Sequence, residues 1–474
     1  MTAALAALLI PLFTALGLLL LRSRSGPLVI LTSLATLAAA CWALVEVTTS
    51  GPQSLHLGDW PEPLAIRFQL QPITALLLVF TALIHLLVAV YAARSRHCRT
   101  RDTDYWPLSC LLQGSLNALW LSSDLFNWYV TLELLGLAAV ALVALSGRKA
   151  YGPALNYLLL SLGASLVYLL GVALIYGRYG VLDITLLATQ TEADQSTRVA
   201  FWLMTLGLML KAALWPLHLW LPKAHASAPT AVSALLSALV VKGPLFILWR
   251  LWSEAAPVEL AIETGPLLAI AGVAALLLGG WSALRTPWLK SLVAYSTVAQ
   301  LGYALMALGL LMHWQLPALD AALWLFVLAH GLAKASMFLA AGELQATLGS
   351  KRVSALRGTT ETMPVAMFAF AVAGGSLIGL PPSGGFLAKW MLLEPMLGQS
   401  EHWPWVAGIL LGTLISAGYV FRVVALAFDR ADPVPPDFKP DRFAHWLAML
   451  PALVVWGLAL VSQPLIAWLT GATP

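Results

Sequence analysis

Read for its apolar and polar positions, the chain alternates from end to end between long apolar runs and short polar connectors. Fourteen such runs, near 2–21, 27–48, 72–93, 105–122, 124–146, 154–177, 200–222, 229–252, 264–284, 288–312, 319–345, 364–393, 404–428 and 443–469, predict membrane-spanning helices. Each is long enough, because a helix needs about 20 apolar residues to cross a hydrocarbon core about 30 Å thick. The connectors are too short for a soluble domain between spans. The opening run has no basic leader and further spans follow, so it is expected to be retained rather than cleaved.

Two runs are interrupted. LMLKAALWPLHLWLPKAHASAP (208–229) is broken by Pro216, and AVAGGSLIGLPPSGGFLAKW (371–390) by Pro381 and Pro382 beside Gly384–Gly385. Proline removes a backbone donor and clashes with the carbonyl four residues earlier. In lipid the freed groups need partners, so such breaks belong where they line a protein-enclosed or wet space. The breaks are five spans apart, and an odd offset inserts two copies from opposite sides of the bilayer. Matched broken helices point to inverted repeats around a central pathway. The expected architecture is an all-α polytopic membrane protein of about 14 helices. Its parts are an N-terminal three-helix segment (1–104), two five-helix repeats (105–252 and 253–428) and a C-terminal helix 14 (429–474).

Composition agrees: 60% of the 474 residues are hydrophobic and only 10% charged. Cys41, Cys98 and Cys110 form no CxxC or His–Cys cluster, so neither a disulfide frame nor a metal site is expected. The net charge of +4 says little, whereas its placement says more. Seventeen lysines and arginines fall in the odd connectors: Arg22, Arg24, Arg94, Arg96, Arg99, Arg101, Arg148, Lys149, Lys223, Arg285, Lys290, Lys351, Arg352, Arg357, Arg430, Lys439 and Arg442. Only Arg67, Arg178, Arg198 and Arg250 fall in the even ones, some of which are acidic, as in SEAAPVELAIET (253–264). Basic residues stay in the cytoplasm, so this bias predicts odd loops inside and both termini outside. The expected location is a prokaryotic cytoplasmic (inner) membrane.

Five basic residues remain inside spans: Lys211, Lys242, Lys334, Lys389 and Arg422. Arg422 lies near a span end and can snorkel. Each of the four lysines would cost about 2.5–3.5 kcal/mol at a helix centre facing lipid. They must instead face protein, water or a counter-charge. Glu133 is the one acid expected at comparable depth, and one carboxylate cannot neutralise four lysines. Desolvation disfavours a charged amine, which is the property of a group that takes up and releases protons near neutral pH. His330 lies one helical turn from Lys334, so the two share a face. His85 and His218 lack such company and read as core residues, and nothing in the spacing supports haem ligation.

These residues sit in motifs that resemble the antiporter-like, proton-translocating subunits shared by respiratory complex I, membrane-bound hydrogenases and Mrp-type cation/proton antiporters. The motifs are DLFNWYVTLELLG (124–136), LKAALWPLHLWLPKAHASAPTAVSALLSALVVK (210–242), LKSLVAYSTVAQLGY (289–303), HGLAKASMFLAAG (330–342) and GLPPSGGFLAKW (379–390). The resemblance covers roughly residues 100–430. It implies a fourteen-helix core with helices 7 and 12 broken, and a proton path through Glu133, Lys211, Lys242, His330, Lys334 and Lys389. Asp124, Lys223 and His225 are the implied candidates for proton uptake or a partner interface. Departures from the family pattern occur at Gln71, Asn156, Lys223 and Trp288.

The expected function is proton conduction within a larger energy-coupling complex, with other membrane subunits, protons, the lipid bilayer and in some members Na⁺ as partners. No nucleotide loop, flavin motif or iron–sulfur spacing is present, so no cofactor, catalytic site or nucleic-acid partner is expected, and driving energy must come from other subunits. The alternatives are a subunit of an Mrp-type Na⁺/H⁺ antiporter, a proton-coupled subunit of an inorganic-carbon-accumulating complex, and a non-conducting structural anchor.

Overall fold

A computed structural model describes residues 1–21, 25–58, 65–95, 102–430 and 439–469. Arg22, Arg24, Arg96, Arg99, Arg101 and Cys98, read above from the sequence, lie outside the described residues. The chain begins with α1 (Thr2–Leu21), α2 (Gly26–Ser50), β1 (Gln53–Leu57), β2 (Ile66–Leu70), α3 (Pro72–Arg94), α4 (Asp102–Leu121), α5 (Leu125–Ala144) and α6 (Arg148–Tyr179). It continues through α7 (Ile184–Leu187), α8 (Gln195–Lys211), α9 (Leu221–Ser227), α10 (Thr230–Leu235), α11 (Lys242–Arg250), α12 (Val258–Arg285) and α13 (Leu289–Trp314). The remainder is α14 (Ala318–Leu348), α15 (Thr359–Thr362), α16 (Pro364–Ile378), α17 (Gly384–Leu393), α18 (Trp403–Phe428), α19 (Arg442–Gly457) and α20 (Ser462–Leu469).

Among the described residues ten helices are long and apolar enough to cross a membrane. The chain is a helical, multi-pass membrane protein. The runs at 200–222 and 364–393 divide around Pro216 and Pro381–Pro382, as their prolines predict. The run at 443–469 divides too, which the apolar pattern did not signal: α19 stops at Gly457 and α20 starts at Ser462. A proline at position 464 supplies a reason, because proline has no amide hydrogen to bond the carbonyl four residues earlier in a continuous helix. A second unforeseen element is the antiparallel hairpin of β1 and β2, paired from Gln53↔Leu70 to Leu57↔Ile66. It occupies what the pattern left as a connector.

Two compact units interleave along the chain. The first comprises Met1–Ala93, Thr100–Ala213 and Leu239–Thr264; the second comprises Arg94–Arg99, Leu214–Ala238 and Gly265–Pro474. The chain therefore changes unit within the first broken span and again within the π-helical stretch Leu236–Val240.

Close helix approach shapes both units. In the first, α6 and α8 meet at Gly171 and Gly207: a Cβ on Gly171 would lie 2.7 Å from Ala200 O, and one on Gly207 2.6 Å from Ala164 O. In the second, Gly265, Gly272 and Gly279 recur every seven residues along α12 and face α13 at Gly309, Gly302 and Ala299. Small residues allow this because, in lipid, helices associate through close packing rather than a hydrophobic drive. A Cβ on Gly272 would sit 2.6 Å from Gly302 O and from Met306 N, both backbone atoms that cannot yield. Gly272→Leu should therefore lower stability by about 1–3 kcal/mol or more, seen as earlier thermal aggregation in detergent. Gly163→Ala, with nothing within 4 Å of the added carbon, should melt like the parent.

Candidate functional site

In the first unit, α8 presents Lys211 at its last position, just before the break. Its Nζ lies 2.9 Å from Glu133 Oε1 on α5. It also donates to Ser161 Oγ on α6 at 3.2 Å and approaches Leu132 O at 3.5 Å. The Ser165 hydroxyl donates to the same Glu133 oxygen. The amine is 5% exposed and the carboxylate 20%, so the pair is shielded more on the lysine side. A cavity of about 10 Å³ beside them is lined by Gly136, Tyr157, Ser161, Lys211, Val240 and Pro244 among others. That is about the smallest space that holds one water. Gly136 keeps it open, since a Cβ there would stand 3.1 Å from Ser161 Oγ and 3.8 Å from Lys211 Nζ.

Lys242 belongs to the same unit and opens α11 directly after the π-helical stretch Leu236–Val240, at 1% exposure. Such π-turns inside α-helices are frequent at functional sites. Asp124 serves as the N-cap of α5, its carboxylate accepting from Asn127 N at 2.7 Å. Its backbone bridges to Asp183, whose side chain caps α7 and pairs with Arg67 at 3.4 Å.

In the second unit, Lys334 on α14 donates to Ser296 Oγ at 2.5 Å and to Val293 O at 3.2 Å on α13. His330 stands one turn away on α14, and both residues are buried. His225 is wholly buried rather than at a surface, its ring stacked on Phe338 with centroids 4.5 Å apart. Lys223, two residues earlier, is exposed.

Lys389 is held by the second break. α16 ends at Ile378 and turns at Gly379, whose φ of 93° favours glycine. Pro381 and Pro382 follow, and Ser383 caps α17 by accepting from Phe386 N at 3.2 Å. The Lys389 ammonium, one and a half turns into α17, donates to Leu377 O at 2.7 Å and to Ile378 O at 3.1 Å. These are the last carbonyls of α16, where the helix dipole places negative charge. The Tyr303 ring covers the ammonium 4.1 Å from its centroid.

Polar residues on one face of α13 link these two lysines. Ser296, Gln300 and Tyr303 are spaced i, i+4 and i+7. Gln300 Nε2 donates to Ser416 Oγ at 3.0 Å and to Tyr419 Oη at 3.2 Å on α18. The Tyr303 hydroxyl reaches Thr413 Oγ1 at 3.1 Å. The polar spacing inside LKSLVAYSTVAQLGY was the available signal, hidden within a helix otherwise read as apolar.

Three further charges near span ends are buried. Glu343 on α14, two residues from the end of its apolar run, has no exposure, and Ser95 Oγ donates to it at 2.7 Å. Arg250, counted with the even connectors, is wholly buried at the end of α11 and bonded to Glu254, Gln69 and Ser122. Lys290, counted with the odd connectors, is buried and donates to Ala228 O, the C-cap of α9, at 3.1 Å. Hydropathy missed all three because each lies within a few residues of a span end.

Comparisons with known proteins agree with one another. The family described as "NADH:quinone oxidoreductase/Mrp antiporter, TM" matches residues 122–416. NADH-quinone oxidoreductase subunit N of Desulforudis audaxviator (strain MP104C) is 35% identical, covering 96% of this chain and 93% of that protein. A Na(+)/H(+) antiporter subunit of Bacillus subtilis (strain 168) is 28% identical over 96% and 92%. A chain in the structure of the Mrp complex from Dietzia sp. DQ12-45-1b superposes with a TM-score of 0.88 at 26% identity, covering 100% of this chain and 97% of that one.

The Lys290 contact has a measurable consequence. Lys290→Met removes a charge-assisted hydrogen bond from the end of α9, and should cost about 1.5–3 kcal/mol. Thermal unfolding in detergent should register that loss, while Lys351→Met on the exposed connector should leave the midpoint unmoved.

Proposed function

Because this chain belongs to the NADH:quinone oxidoreductase/Mrp antiporter transmembrane family, we propose that it conducts protons as one subunit of a larger energy-coupling membrane assembly. The observation that carries this reading is the Glu133–Lys211 pair at 2.9 Å, set at the end of a broken helix beside a water-sized cavity. A proton reaching Glu133 neutralises the carboxylate and releases Lys211. The freed ammonium then passes H⁺ by way of water to Lys242 in the same unit. Glu133 then gives its proton to the neutral Lys211, which restores the ion pair.

The second unit has its own set, His330, Lys334 and Lys389. Here a proton lost from Lys389 also removes the charge that stabilises the end of α16. Charge movement and geometry at the broken helix are thereby coupled. Relatives are named as subunits of multisubunit enzymes and antiporters, which supports neighbouring membrane subunits as partners and as the source of driving energy. Asp124 acts in this reading through the start of α5, and Lys223, the exposed residue of the pair with His225, is the candidate for proton uptake or partner docking.

We also read 105–252 and 253–428 as inverted repeats. Their support is a pair of matching contacts. A backbone bridge joins Asp124 to Asp183 in one, and another joins Trp288 to Arg352 in the other, each linking connectors two spans apart. The odd connectors are assigned to the cytoplasm and the termini to the outside of a prokaryotic inner membrane, on the basic-residue bias. Labelling of Lys351→Cys by an impermeant reagent only in inverted vesicles fits this orientation; labelling in intact cells reverses it.

In vesicles carrying the purified assembly, Lys211→Ala and Glu133→Ala should each lower proton transport at least about tenfold, the scale of losing one well-placed proton-transfer group. Unchanged transport in either removes that residue from the path. The 28% identity to a Na(+)/H(+) antiporter subunit makes one further measurement decisive: transport that requires Na⁺ assigns cation exchange, and transport indifferent to Na⁺ assigns proton conduction alone.

A further inference from the structure

Arg250 closes α11 inside the first unit, eight residues beyond Lys242. Its side chain is 1% exposed, whereas its partner Glu254 is 29% exposed. Nε donates to Glu254 Oε1 at 2.9 Å, and Nη2 to Glu254 Oε2 at 2.6 Å and Gln69 Oε1 at 2.8 Å. Nη1 donates to Ser122 O at 3.2 Å. Four of the guanidinium's five N–H groups are thus engaged by Glu254, by β2 and by the turn that follows α4. The Trp128 and Phe246 rings lie 5.6 and 5.9 Å from its central carbon.

We propose that Arg250 is a fixed cationic plug that closes the hairpin end of the first unit to protons and small cations. The proposal rests on the reading that Lys242 and its neighbours carry H⁺. Three features lead to it. A guanidinium keeps its proton at any physiological pH, so it cannot relay one. Its hydrogen bonds and flanking rings fix it in one pose, so it cannot swing aside. Its acid partner is the more exposed member and lies one turn further from Lys242 along the chain, so the positive member of the pair is the nearer one, with a backbone rise of about 12 Å between Lys242 and Arg250. At that separation, with an effective dielectric constant near 20, the guanidinium charge taken alone changes occupancy by another cation roughly tenfold, and Glu254 offsets much of this in the intact pair, leaving about twofold. Burial of a charge is not the usual route to stability here, since replacing a whole buried ion pair by apolar residues of similar volume is often neutral or stabilising. The same logic operates in pores where a fixed arginine excludes cations.

The test is passive leak. The assembly, purified in mild detergent with the subunits that accompany it, is placed in liposomes under an imposed pH gradient with no energy source. Arg250→Met should raise proton leak about tenfold over the parent, whereas Glu254→Gln, which leaves the guanidinium in place, should not. Arg250→Gln, which keeps a donor for Ser122, serves if the methionine variant does not assemble. Tight vesicles with an assembled neutral variant overturn the plug, as does an equal leak from Glu254→Gln. Adding Lys242→Ala to the leaky variant separates the two ideas. Suppression of the leak supports both, while a persisting leak keeps the plug and removes Lys242 from the proton path.

Discussion

Every buried charge in this protein must find an opposite partial charge before the bilayer will accept it, and the chain meets that demand chiefly with backbone carbonyls. Glu133 serves Lys211. Lys389 takes the last carbonyls of α16, Lys290 the C-cap of α9, and Lys334 the Val293 carbonyl together with Ser296. Arg422 on α18 donates to Leu284 O and to Thr286 O at the end of α12. One deep acid beside four lysines looked like an electrostatic deficit in the sequence. Of those four, Lys389 meets a helix C-terminus, which carries roughly half a negative charge, and Lys334 a carbonyl inside α13 together with a hydroxyl.

At the second break this accounts for the lysine beside it. A break creates carbonyls with no helical partner, and at the second break the Lys389 ammonium satisfies them through charge-assisted hydrogen bonds. Removing that proton leaves N–H donors but takes away the charge that strengthens these bonds. A break of this kind responds to the protonation of its lysine, whereas a carboxylate–lysine pair responds to protonation of either member. The two units therefore hold their lysines by different physics, and the family relationship alone would not separate them.

Much of this was legible in the sequence. Apolar run length located the helices, Pro216 and Pro381–Pro382 located two breaks, and the excess cost of lysine in lipid singled out Lys211, Lys242, Lys334 and Lys389. What remained hidden depended on three-dimensional partners. Arg250, Lys290 and Glu343 lie close enough to span ends that hydropathy treats them as solvated, although each is buried. The hairpin escaped notice because Gln53–Leu57 and Ile66–Leu70 are too short and mixed to stand out between apolar runs. The turn between α19 and α20 was masked by its own apolar residues. The polar face of α13 was visible only once α18 supplied Ser416 and Tyr419 as partners.

Arg250 and Arg422 extend the argument from single residues to the repeat. Arg250 ends the fifth helical span of the proposed first repeat and bonds Ser122 O, in the connector between that repeat's first two helices. Arg422 lies in the fifth span of the proposed second repeat and bonds Leu284 O and Thr286 O, at the corresponding connector. Their surroundings differ: Arg250 is wholly buried, bidentate to Glu254 and flanked by two aromatic rings, whereas Arg422 keeps partial exposure. An arginine that only tied a connector down would need the carbonyl bonds common to both. The carboxylate, the rings and the burial are additions at Arg250 alone, and they set a positive end toward Lys242. Charge placement, rather than anchoring, accounts for those additions.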